Sequence, residues 1–224
     1  MTNHTLALLH TSPVLTPLFA SLCAQWVPEA RIFHTVDESL IKNTIQAGHL
    51  EKMTVRRLAT LVGSAFDAGA DAVLVTCSSI GPAVEVARQL YDRPVLRVDE
   101  PMARDAVWRG RRIGVLATLR TTLEPTSALV RSQAREASRP VEIVECLCEG
   151  AFEAVLCGDT ATHDRLVSEA LTDRMRDVDT IVLAQASMAR VVAALPPGAV
   201  KAPVLSSPES GVRQVREVFG LGNG

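Results

Sequence analysis

Short apolar runs alternate along the whole chain with longer stretches of helical periodicity. The apolar runs predict strands over 5–10, 30–34, 71–76, 94–98, 112–117, 141–145, 180–184 and 203–205. Several of them are apolar at every position rather than every second one, the pattern of parallel strands covered on both faces. The segments between them predict helices over 13–26, 50–68, 82–91, 101–108, 123–137, 150–157, 162–177, 189–195 and 209–219. Strand and helix in strict alternation specify an α/β fold with parallel sheets, whose ligands gather at the carboxyl ends of the strands.

The pattern repeats. "DAVLVTCSS" from Asp71 aligns with "DTIVLAQAS" from Asp179, 108 residues on. Leu6 aligns with Ile113 at 107 residues, and Pro94 with Pro203 at 109. Three segments in one order at nearly one offset point to two pseudo-symmetric, doubly wound lobes with parallel sheets. The expected division is 1–108 and 109–202, with 203–224 able to cross back and complete the first lobe. Such a duplication sets equivalent strand ends on either side of a cleft, a common place for an active site. The residues expected at its mouth are His10 to Ser12, Cys77 to Ser79, Thr118, Gln185 to Ser187, and Ser206 with Ser207.

Composition narrows the function. The chain has 224 residues, is 47% hydrophobic and carries a formal net charge of −2, so it has material for a core and no strong pull toward nucleic acid or an anionic membrane. No apolar run approaches the roughly 18–20 residues that span a bilayer, and residues 1–10 lack a charged region leading into a long apolar one, so a cytoplasmic location without a signal peptide is expected. The five cysteines have no zinc spacing, and Cys23, Cys146, Cys148 and Cys157 read as buried thiols. His4, His34, His49 and His163 lack ligand spacing, and the thirteen glycines form no phosphate loop, so neither metal nor cofactor is expected.

Cys77 stands apart. It closes the turn between a buried strand and a helix that Pro82 suits in its first turn. The free backbone N–H groups of that turn favour a thiolate, and with the Ser78 and Ser79 hydroxyls they offer an anion clamp. A lowered thiol pKa is the expectation. His10, closing the first strand, is a second candidate acid or base. Glu100 and Glu209 fall at equivalent helix starts, where complementing the helix dipole accounts for them.

Four stretches together resemble the aspartate/glutamate racemase superfamily, which includes glutamate, aspartate and hydantoin racemases, maleate isomerase and arylmalonate decarboxylase. They are "DAVLVTCSS" from Asp71, "RRIGVLATLRTT" from Arg111, "DTIVLAQASMARVV" from Asp179 and "APVLSSPESGVRQV" from Ala202. The resemblance implies catalysis without pyridoxal phosphate or metal, a small carboxylate substrate and a homodimer or higher homo-oligomer. It places Cys77 as the catalytic thiol, Ser78, Ser79 and Thr118 at the substrate carboxylate, and Ser12 and Ser187 in the pocket.

The sequence departs from the family at two places. Gln185 occupies the position of the second catalytic cysteine and would bind substrate rather than titrate. His10 stands where many amino-acid racemases carry an aspartate. These features imply a racemase or isomerase acting α to a carboxylate through one thiol. The alternatives are a decarboxylase or other lyase working through an enediolate, and a non-catalytic carboxylate-binding remnant.

Overall fold

The computed structural model describes residues 4–222. The chain forms two compact units, Met1–Asp99 with Pro208–Gly224, and Glu100–Ser207.

The first lobe holds β1 (Thr5–His10), β2 (Arg31–Val36), β3 (Ala72–Val75) and β4 (Val95–Arg97), paired in parallel in the order β2-β1-β3-β4. Its helices are α1 (Thr16–Trp26), α2 (Glu38–Ala47), α3 (Lys52–Asp67) and α4 (Gly81–Arg88), joined by most of α10 (Ser207–Val218). Both faces of the sheet are covered, which is why its strands are apolar throughout. Ala7, Leu9, Val73 and Val75 pack on Leu58 and Val62 of α3 and on Ala83 and Val84 of α4. Leu6, Leu8, Ala72 and Leu74 face the other way, onto Phe19 and Cys23 of α1 and Val212, Val215 and Phe219 in and after α10.

The second lobe repeats the plan. β5 (Arg112–Ala117), β6 (Glu142–Leu147), β7 (Thr180–Leu183) and β8 (Val204–Ser206) pair in parallel in the order β6-β5-β7-β8. Its helices are α5 (Glu100–Arg109), α6 (Arg120–Glu136), α7 (Ala151–Leu156), α8 (Thr160–Glu169) and α9 (Ala189–Ala194). The duplication expected from the offsets is therefore present as two sheets of one strand order.

The lobe boundary differs from the expected one. α5 sends Met102, Ala103, Ala106 and Val107 into the second core, so the break falls after Asp99 rather than after residue 108. β8 stays hydrogen-bonded to β7, and only α10 returns to the first lobe. There Gly211 lies so close to the Val98 backbone that a Cβ would overlap it, and Gln214 Nε2 donates to the Arg97 carbonyl at 2.8 Å. Each apolar side chain that α10 buries is worth about 1.5–3 kcal/mol against exposure. Two helices also differ from expectation. α2 is unforeseen, and the helix expected over 162–177 ends at Glu169 and continues as a π turn at Ala170–Arg174. No described helix is long and apolar enough to cross a membrane.

Candidate functional site

Cys77 ends β3's run and caps a short 3₁₀ turn, Ser78–Ile80, that leads into α4. Its own backbone stays extended, at φ −125° and ψ 118°, while the next N–H groups turn toward it. Four donors face the sulfur: the Thr11 hydroxyl, the backbone N–H groups of Ser79 and Ile80, and the Ser79 hydroxyl. Ser78 and Ser79 are buried, whereas Cys77 as a residue keeps partial exposure. Loss of water around the thiol pushes its pKa above the ordinary value, and the four donors pull against that without reversing it. This corrects the expectation of a lowered pKa. The turn's N–H groups do favour a thiolate, but desolvation of a sulfur packed at the core's edge outweighs them. The resting group is a thiol, poised among donors that would hold its anion.

The second lobe builds the same turn with different chemistry. Gln185 follows β7 and caps the 3₁₀ turn Ala186–Met188, at φ −130° and ψ 134°. Its Oε1 accepts the Thr118 N–H at 2.7 Å and the Thr118 hydroxyl at 3.0 Å. A backbone N–H only donates, so the atom facing it is the amide oxygen, and Nε2 points away. Thr118 sits 107 residues after Thr11. In each lobe, then, the threonine closing the first strand donates its hydroxyl to the side chain that caps the turn, a sulfur in one and an amide oxygen in the other.

Residues 9–215 match the family described as Asp/Glu/Hydantoin racemase. The chain belongs to that family. No curated protein matches it in sequence. Glutamate racemase from Francisella tularensis subsp. tularensis SCHU S4, solved in complex with D-glutamate, shares its fold at a TM-score of 0.75 and 12% identity, over 98% of this chain and 82% of that one. Glutamate racemase isoform RacE1 from Bacillus anthracis gives 0.71 and 18%, over 98% and 83%. Allantoin racemase from Klebsiella pneumoniae gives 0.67 and 17%, over 98% and 89%. The chain is a racemase-type enzyme by family.

Within this racemase fold the expected site residues separate into groups. Cys77, Ser78 and Ser79 form one turn, with Thr118 and Gln185 bonded to each other in the second lobe. Ser187 is exposed in the Gln185 turn. Ser12 caps another 3₁₀ turn, Pro13–Leu15, accepting the Val14 N–H at 3.4 Å. Thr11 was not singled out, yet it is the residue beside the thiol; the 107-residue offset from Thr118 was the available signal. Cys23, Cys146 and Cys148 are buried as expected, but Cys157 is exposed, one residue past the end of α7. No group of three or more His, Cys, Asp or Glu among the described residues could hold a metal ion.

His10 is fully buried, with both ring nitrogens engaged. Nδ1 lies 2.8 Å from the Thr76 hydroxyl and Nε2 2.9 Å from His34 Nδ1. Thr76 also bonds the Leu9 carbonyl, so the group ties β1 to β3. Burial, with a smaller push from His34, lowers the His10 pKa to about 4. Above pH 6.5 the ring is neutral in folded and unfolded chains alike. Between about pH 6.5 and 4 the unfolded chain takes up a proton that the fold refuses. Stability is therefore expected to fall on acidification across that window, by up to about 3 kcal/mol. Denaturant melts at stepped pH check this, and the slope should flatten in His10→Gln.

Thr11→Val tests the thiol's surroundings. It keeps the shape but removes one donor, so the thiol becomes harder to ionise and the rise of rate with pH moves upward. Roughly fivefold lower turnover at neutral pH is expected, the worth of one hydrogen bond of about 1 kcal/mol, with KM little changed. A rate–pH profile identical to wild type would remove Thr11 from the site.

Proposed function

We propose that this racemase-family enzyme moves the hydrogen on the carbon α to a small substrate's carboxylate, with Cys77 as its thiol acid/base and without a cofactor. The observation carrying the reading is the sulfur at the mouth of a strand-to-helix turn with four hydrogen-bond donors directed at it. As thiolate, Cys77 takes the α-proton, and the electron pair of the C–H bond moves into the carboxylate to give an enediolate. Two oxygens then carry the developing charge. The N–H groups and hydroxyls of Ser78 and Ser79 are the donors to meet it, and each donor fixed in place is worth a few kcal/mol, about 3. His10 serves as a structural tie in this reading, since its ring has no nitrogen left for substrate.

One observation favours a second reading. Racemisation needs a proton returned to the opposite face, and the second lobe's equivalent capping position carries an amide that does not titrate. Loss of CO₂ from a malonate-type acid, followed by protonation from Cys77 alone, needs only one thiol.

Turnover in D₂O separates the two. Deuterium at Cα with inversion or scrambling of configuration is the expected result for the first reading. Deuterated product with stoichiometric CO₂ and a single configuration would establish the second. Absence of both across a broad set of small mono- and dicarboxylic acids would overturn the proposed chemistry.

A further inference from the structure

We infer that the Cys77 loop takes a carboxylate whose α-carbon bears no ammonium group, carrying instead a carbon, hydroxyl or acylated-nitrogen substituent. The inference rests on the carboxylate chemistry proposed above and narrows its substrate class. Everything directed at the sulfur is a donor: two backbone N–H groups and two hydroxyls. Such a surface suits the oxygens of an acid. An ammonium group needs the reverse, an acceptor of net negative charge, because a cation stripped of water without one is strongly disfavoured.

The carboxylates that follow the first lobe's strands are already occupied. Asp37, after β2, accepts the Ser39 N–H at 3.0 Å and the Ser39 hydroxyl at 2.6 Å on one oxygen, and Arg57 Nε at 2.6 Å on the other. Burial opposes that carboxylate's charge, but the Ser39 and Arg57 bonds outweigh it and hold its pKa low. Asp99, after β4, is wholly buried and grips Arg97 with both oxygens, at 3.0 Å each. After β1 comes His10, neutral and saturated with partners. After β3 comes Thr76, whose hydroxyl lies between the Leu9 carbonyl and His10. The next acids outward, Glu38 and Glu209, are exposed and sit 3.5 Å from Lys42 and 3.9 Å from Arg213. Each of these negative charges has a positive partner, while the donors around Cys77 remain turned toward one small volume.

The test is a matched pair: aspartate and N-carbamoyl-aspartate, identical but for the charge on nitrogen. Each is offered to the intact enzyme as protection of Cys77 against alkylation by iodoacetamide, read by peptide mass spectrometry, and as a substrate for Cα deuteration in D₂O. Protection by the carbamoyl acid at concentrations at least tenfold below those aspartate requires is expected, and supports the inference even if neither acid exchanges, a result that would count against the proposed chemistry alone. Equal or better protection by aspartate overturns the inference while leaving that chemistry intact. No protection by either acid overturns it as well.

Discussion

Cys77→Ser is expected to lower turnover by about 10²–10⁴-fold, the usual worth of a positioned acid or base, while the melting temperature stays within about 3 °C of wild type. A serine hydroxyl fits the same space and can take the same four donors. It does not ionise in a useful range, so the α-proton has no acceptor. The sulfur lies at the rim of the first lobe's core, packed against it rather than within it, and retains partial exposure. Exchanging it for oxygen therefore leaves little cavity. Turnover and thermal melts on one preparation give both numbers. A large loss of stability would recast Cys77 as a core residue.

The largest effect on stability is expected at Asp99. Asp99→Ala strands the Arg97 guanidinium, only 4% exposed, without its bidentate partner. Removing one half of a buried pair typically costs about 3–5 kcal/mol, which in a protein of this size lowers the melting temperature by on the order of 10 °C. The nearest other carboxylate, Glu85, lies 3.8 Å from Arg97 Nη1 and is half-exposed, too far out to replace it. Consequences should reach the site, because the guanidinium lies against Gly81, the first residue of α4, where any Cβ would overlap it. A freed Arg97 disturbs the turn that aims Ser79 and Ile80 at the sulfur. Replacing both partners, as Arg97→Met with Asp99→Leu, should recover most of the loss, since an apolar pair leaves no buried charge. Thermal melts of the single and double variants check the expectation.

The parallel sheets were legible because strands covered on both faces must be apolar throughout, as in Ala72–Val75. The duplication was legible because two such sheets in one order repeat their strands at a near-constant spacing. α2 escaped notice because only Leu40 and Thr44 of its ten residues are buried, so it shows no broad apolar stripe. Its signals were local ones, an Asp37 cap and a left-handed Gly48 at its end. The lobe boundary was misplaced because α5 is amphipathic either way, and which core receives Met102 and Val107 is a tertiary matter.

Of the site, the cysteine turn was readable, since strand, small residues and proline mark where the N–H groups lie. The direction of the thiol's pKa was not, because it depends on how much water the packing removes. Nor was the Arg97–Asp99 pair. An arginine ending a short strand looks exposed until its side chain is found lying over a glycine two strands' width away in sequence. His10 likewise looked free at a strand end, and only the fold brings His34 and Thr76 to its two nitrogens.

The most direct measurement follows label out of a substrate deuterated at Cα, in ordinary water, with wild type and Cys77→Ser in parallel. The account predicts wash-out by the wild type in step with turnover and only background loss with the serine variant. Wash-out by Cys77→Ser at the wild-type rate would contradict it, and the base would have to be sought elsewhere in the fold.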